Sequence, residues 1–184
     1  MAIAASDIKF LLSAPVATAG YTMPGVPGNS LGLYASTSQL STTNNGLDNI
    51  FTDLTGAENA ANQVDYACVF IWNSHHTLSM LTPYAWLPVG LLGNTNTAGF
   101  AVGADPIMPS VLGSSGPQAV GIANPVQAPS GVTAWAGPSS ISANGIALPN
   151  IPAGSVAAVW IRRTANGAAG LNTFTLDVTF DTLA

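Results

Sequence analysis

Thr173-Phe174-Thr175-Leu176-Asp177-Val178-Thr179-Phe180-Asp181 alternates without a break. Phe174, Leu176, Val178 and Phe180 fall on one side; the threonines and aspartates fall on the other. A period of two marks a β-strand, and an apolar face opposite a hydroxyl and carboxylate face marks one with a side in a core and a side in water. Upstream, Ser155-Val156-Ala157-Ala158-Val159-Trp160-Ile161-Arg162-Arg163-Thr164 also reads as a strand. Val156, Ala158, Trp160 and Arg162 share one of its faces, and Ala157, Val159, Ile161 and Arg163 the other. The linker 165–172 carries Asn166-Gly167, a hairpin-turn dipeptide. An antiparallel hairpin of these two strands is therefore expected.

Outward from this pair, Asp65-Tyr66-Ala67-Cys68-Val69-Phe70-Ile71-Trp72 is apolar on both faces, the pattern of a central strand covered on two sides. Asn73-Ser74-His75-His76 reads as a turn, with a strand continuing over 77–81. Residues 7–12 read as an N-terminal strand, and 84–87, 100–102 and 132–135 as weaker ones. The 19 glycines and 13 prolines are scattered, and almost no window sustains a helical period. The best helical stretch, 47–61, is interrupted at Thr55-Gly56, leaving room for one turn. Residues 90–99 and 105–117 read as long loops, which in a compact domain are usually functional or interfacial. The expected fold is all-β: a single antiparallel β-sandwich over 1–184, with a jelly roll as one version of it. Residues 14–34 form an extended N-terminal arm or loop.

Charge narrows the function. Only 6% of residues are charged, with 3 basic and 8 acidic residues and a net charge of −5. Lys9, Arg162 and Arg163 are the only cations. Binding nucleic acid by neutralising phosphates, or a membrane by a polybasic segment, needs a cluster of Lys and Arg, so neither partner is expected. Hydrophobic residues make up 48% and mean hydropathy is +0.39. No stretch supplies the roughly 18 to 20 apolar residues of a spanning helix. The apolar run 10–17 resembles a secretory leader, but Asp7 lies in its start and Ser13 and Pro15 break its centre. The single cysteine, Cys68, has no internal partner, which fits synthesis in a cytoplasm. A chain this apolar and this sparsely charged must hide surface, most simply by assembling with other subunits, so a homo-oligomer is expected.

Chemistry-bearing residues are few. His75 and His76 diverge in extended chain, and no second ligand pair completes a metal site. Asp48, Asp53 and Glu58 are the densest acids, but their spacing does not match a calcium loop and a solvated face accounts for them. Gly113-Ser114-Ser115-Gly116 is a loop rather than a nucleophile elbow. Cys68 sits within an apolar strand, the setting of an inert thiol. No enzyme, cofactor or metal is therefore expected. Arg162 and Arg163 face opposite sides of their strand. One is expected to pair with an acid such as Asp177 and the other to reach a neighbouring chain; two exposed strand-end charges fit the sequence equally well. The arm carries Tyr21, Met23, Leu33 and Tyr34 among turn residues, too apolar for a solvated linker. Tyr21, Met23, Leu33, Tyr34, Arg162 and Arg163 are the candidate partner-interface residues.

Ile151-Pro152-Ala153-Gly154 followed by Ala158-Val159-Trp160-Ile161-Arg162-Arg163-Thr164 resembles the C-terminal signature of a family of small tailed-bacteriophage structural proteins. Other pieces match in the same order: Asp7-Ile8-Lys9-Phe10-Leu11-Leu12-Ser13, Asn49-Ile50-Phe51-Thr52-Asp53-Leu54-Thr55-Gly56-Ala57-Glu58, Asp65 through Asn73, and Pro129-Ser130-Gly131-Val132. The arm and residues 90–125 resemble it least, and the charge density is lower than the family's. The resemblance implies a virion component made in the host cytoplasm. Its expected role is a capsid decoration, or cement, protein bound over major capsid protein subunits at the capsid surface. The alternatives are a tail, collar or fibre component and, from another class, a carbohydrate-binding sandwich that stacks sugars on Trp86 or Trp135.

Overall fold

The computed structural model describes residues 2–16, 28–40, 50–88, 98–165 and 174–182. Among these residues, nine strands and one short α-helix follow in order: β1 (Ile8–Ala14), β2 (Tyr34–Gln39), α1 (Gly56–Ala60), β3 (Val64–Asn73), β4 (Leu81–Trp86), β5 (Ala98–Ala104), β6 (Ser110–Val111), β7 (Ile146–Ala147), β8 (Ser155–Ala165) and β9 (Asp177–Asp181). They build an all-β sandwich of two antiparallel sheets. One has six strands in the order β2-β1-β3-β8-β5, with β6 also pairing β8; the other has three, β7-β4-β9.

The centre of the large sheet is the pair β3–β8, in register from Val64 opposite Thr164 to Trp72 opposite Val156. Directly opposed residues share a face. Ala67, Val69 and Ile71 of β3 join Ala157, Val159 and Ile161 of β8 on the inner face. There they meet Ala85 and Leu87 around β4, Val178 of β9, and Leu176, Phe51 and Phe100. The opposite face carries Cys68, Phe70, Val156, Ala158 and Trp160, all buried. Among the described residues no second sheet lies over it. Residues 28–33 and 105–136 cover it, contributing Leu31, Leu112, Ala119, Ile122, Val132 and Trp135. The protein is thus a small sheet, a large sheet and a layer of loops.

The C-terminal alternation produces the expected core wall. Leu176 and Val178 are buried and Phe174 and Phe180 are half-buried against the same cluster. The regular strand itself begins at Asp177, later than the sequence pattern. The expected hairpin with β8 does not form: β8 lies between β3 and β5 in the large sheet, whereas β9 pairs β4 in the small one. The reason is in the patterns. A strand apolar on both faces needs cover on both sides, and a strand with a wet face belongs in an outer sheet. The linker that carries Asn166-Gly167 lies outside the described residues.

Two further expectations shift. Residues 77–79 form no strand; β4 begins at Leu81, and Met80 makes an isolated bridge to Ile151. Side chains take up the backbone groups instead: His75 Nδ1 accepts the N–H groups of Thr77 and Leu78, and the Asn73 amide donates to the Leu78 carbonyl. Residues 132–135 are also irregular, and only Ala136 exchanges two hydrogen bonds, with Val102 of β5. Gly103 permits that approach, since a Cβ there would lie 2.6 Å from Val132 Cγ1. Thr55-Gly56 starts the helix rather than interrupting it. The Thr55 hydroxyl accepts from Glu58 N–H, and the Glu58 carboxylate accepts from Thr55 N–H at 2.7 Å. Those bonds, the backbone one foremost, hold the Glu58 carboxyl below its ordinary value.

Truncating the wall should be costly in proportion to burial. Leu176→Ala is expected to lose about 2–5 kcal/mol and half-buried Phe180→Ala less than a fully buried phenylalanine would. Urea unfolding monitored by tryptophan fluorescence checks the order.

Candidate functional site

The loop layer is irregular backbone pressed on an apolar face, so its polar groups need partners. Asp105, 7% exposed and directly after β5, supplies several. Its Oδ1 accepts from Ile107 N–H at 2.8 Å, and its Oδ2 accepts from Val120 N–H at 2.9 Å and from the Trp160 indole at 2.8 Å. One carboxylate thereby ties the two ends of the 107–120 excursion to the largest side chain of β8. Gln118 acts alongside it. Its amide nitrogen donates to Ser110 Oγ and the Val111 carbonyl, and its Oε1 accepts from Ala35 N–H of β2.

The layer is stitched to the 28–33 segment through the main chain. The Leu33 carbonyl accepts from both Gln118 and Ala119, and the Leu31 carbonyl from Ile122. Ser30 Oγ accepts from Ser13 N–H and donates to the Cys68 carbonyl. Gly32, at φ +88°, is required here, because a Cβ would sit 1.9 Å from the Val120 carbonyl oxygen. Held on this frame, Met108, Val111 and Val126 stand more than half exposed. This face, rigid beneath and apolar at its tips, is the candidate interaction surface.

All three cations are occupied within the chain. Arg163 lies directly opposite Asp65 and is 2% exposed. Its Nη2 reaches Asp65 Oδ2 at 2.6 Å, its Nη1 donates to the Thr52 carbonyl at 2.8 Å, and the guanidinium lies 4.6 Å from the Phe51 ring centre. Gln63 donates to the other oxygen of Asp65. Lys9 stands 4.9 Å from the Trp72 ring and Arg162 5.0 Å from the Trp135 ring, which also meets Tyr66 at 5.7 Å. Such contacts attract a cation to an aromatic face, although the buried Arg162 Nε keeps no hydrogen-bond partner.

The expected site residues separate accordingly. Arg163 is internal, and its partner is Asp65 rather than Asp177. Arg162 is half-buried on the loop-covered face, with no hydrogen-bond partner at Nε. Leu33 packs against Gly121 of its own loop layer, and Tyr34 opens β2 opposite Ala14. Tyr21, Met23 and Asp48 lie outside the described residues. His75 is buried in its turn and His76 exposed. Asp53 is exposed and Glu58 is spent on the helix cap. Among the described residues no group of His, Cys, Asp and Glu is arranged to hold a metal ion, and no helix is long and apolar enough to cross a membrane. Cys68 is fully buried. Burial pushes its thiol well above the ordinary range, and the nearby Asp105 carboxylate adds to that.

Asp105 and Gln118 were not singled out by the sequence reading. The available signal was an acid set at the end of an apolar strand, just before Pro106, in a chain with only 8 acids. Comparison with protein-family models, curated proteins and solved structures finds no match to this chain.

Asp105→Ala strands three donors beneath the layer and is expected to cost about 3 kcal/mol or more, read as a lowered urea midpoint. Native Cys68 should resist alkylation by iodoacetamide at pH 8 and react once the chain is unfolded, a contrast that mass spectrometry reads directly.

Proposed function

We propose that this chain is a structural subunit of a tailed-bacteriophage virion, a capsid decoration protein that binds over major capsid protein subunits and acts without catalytic turnover. The observation that carries this reading is the division of labour on the surface. Every cation is engaged inside the chain, while Met108, Val111 and Val126 project from a loop layer pinned by buried hydrogen bonds. A subunit built this way meets its partner through apolar contact and backbone groups, not ion pairs. The resemblance of residues 151–164 and the four preceding segments to small phage structural proteins supports the virion as the setting. A homo-oligomer on the capsid surface fits the same apolar economy. A tail, collar or fibre position is the alternative within the virion.

The test is re-addition of purified protein to particles that lack it, followed by sedimentation and cryo-EM. The proposal expects density over the capsid lattice and retention in about 1 M NaCl, because salt screens charges and leaves apolar contact intact. Met108→Asp with Val111→Asp, both at exposed positions, should abolish retention while leaving the melting temperature close to wild type. Release by salt alone, or density confined to the tail, would overturn the decoration reading.

A further inference from the structure

The outer face of the small sheet has a composition unlike the rest of the molecule. Tyr84 and Trp86 stand two residues apart on β4, so their rings share one face, about 7 Å apart along the strand. Ala85 between them points into the core. Neither ring belongs to either apolar cluster, unlike Trp72, Trp135, Trp160, Phe51, Phe70 and Phe100. Across the ladder, Tyr84 faces Thr179 and Trp86 faces Asp177 of β9. Both β9 residues are exposed, and both rings are half-buried. The row continues at Thr82, whose hydroxyl donates to Asp181 Oδ2 at 3.0 Å.

We propose that this face binds a neutral glycan, with sugar rings laid on Tyr84 and Trp86 and their hydroxyls donating to Asp177 and Thr179. The chemistry selects the occupant. A sugar presents C–H groups to an aromatic face and O–H donors at its rim, which matches rings flanked by a carboxylate and a hydroxyl. An apolar peptide would bury the exposed Asp177 and Asp181 carboxylates and offer them no donor beyond those they already have within the chain, the Val178 N–H and the Thr82 hydroxyl. A second copy of the face would set the same acids against each other. Phosphates and anionic lipids would meet carboxylates and no cation, because Lys9, Arg162 and Arg163 all lie in the large sheet.

This binding is independent of the surface formed by Met108 and Val111. The experiment is an array of neutral gluco-, manno-, galacto- and N-acetylglucosamine hexasaccharides probed with the full chain, with hits measured by calorimetry. At least one class is expected to bind. Tyr84→Ala and Trp86→Ala should each weaken it about tenfold or more, and Met108→Asp should not change it. Thr179→Lys, at an exposed position, guards against a Trp86 variant that fails to fold, and should also abolish binding. Tyr84→Ala should leave particle retention intact, so this proposal and the decoration reading fail separately. Silence across the array, binding only to acidic glycans, or unchanged affinity in Tyr84→Ala and Thr179→Lys would overturn it.

Discussion

The middle of the β3–β8 pair has no face that water can touch. From Ala67 opposite Ile161 to Ile71 opposite Ala157, both sides of the pair are apolar and buried. Each side must therefore be covered, and the two sides are covered differently. The inner side receives a conventional small sheet, whose backbone is satisfied by its own ladder. The outer side receives loops, whose backbone is not. Asp105, Gln118, Ser13 and Ser30 supply the missing partners. An ionised carboxylate in such a place is costly unless it accepts several donors, and Asp105 accepts three. The loop layer is thus part of the core, and its outward surface inherits the core's rigidity.

The scarcity of charge follows the same logic. With both sheet faces covered, most of the chain is scaffold, and the few cations serve as scaffold too. Arg163 and Asp65 close the edge of the inner core beside Phe51. Lys9 and Arg162 rest on Trp72 and Trp135 at opposite ends of the outer face. The exposed surface carries apolar tips at Met108, Val111 and Val126 on the loop layer, a further one at Ile141 near β4, and an aromatic, acidic ladder on the small sheet.

The sandwich was legible because strand periodicity is a local property. The double apolar pattern of β3 placed it at the centre, and the single apolar face of Phe174, Leu176, Val178 and Phe180 placed the C-terminal strand at a wall, whereas β8 was expected beside that strand and not at the centre. Pairing was less legible, because register and neighbour depend on distant residues. Asn166-Gly167 suggested a hairpin, yet β8 and β9 face each other across the core. The same patterns held the contrary signal, since one strand needed cover on both sides and the other on one. The two-residue strands β6 and β7 have no sequence pattern of their own. Of the expected interface residues, Arg163 turned inward because Asp65 lies directly across the ladder, a relation no spacing along the chain reveals. Within the loop layer, 105–117 was read as a loop, which holds apart from the two-residue β6, while 132–135 was read as a strand and is irregular; the layer's role as the second cover was invisible without the position of Asp105 against Trp160.

That role is the central claim, and hydrogen–deuterium exchange of individual amides tests it most directly. Amides that donate into the layer, those of Leu112, Ala119, Val120 and Ile122, should exchange only through global unfolding, as slowly as those of Val159 and Ile161 in β8. Exchange of these loop amides orders of magnitude faster than β8, at a pH where the sandwich is fully folded, would contradict the account and leave the outer face of the large sheet covered only in passing.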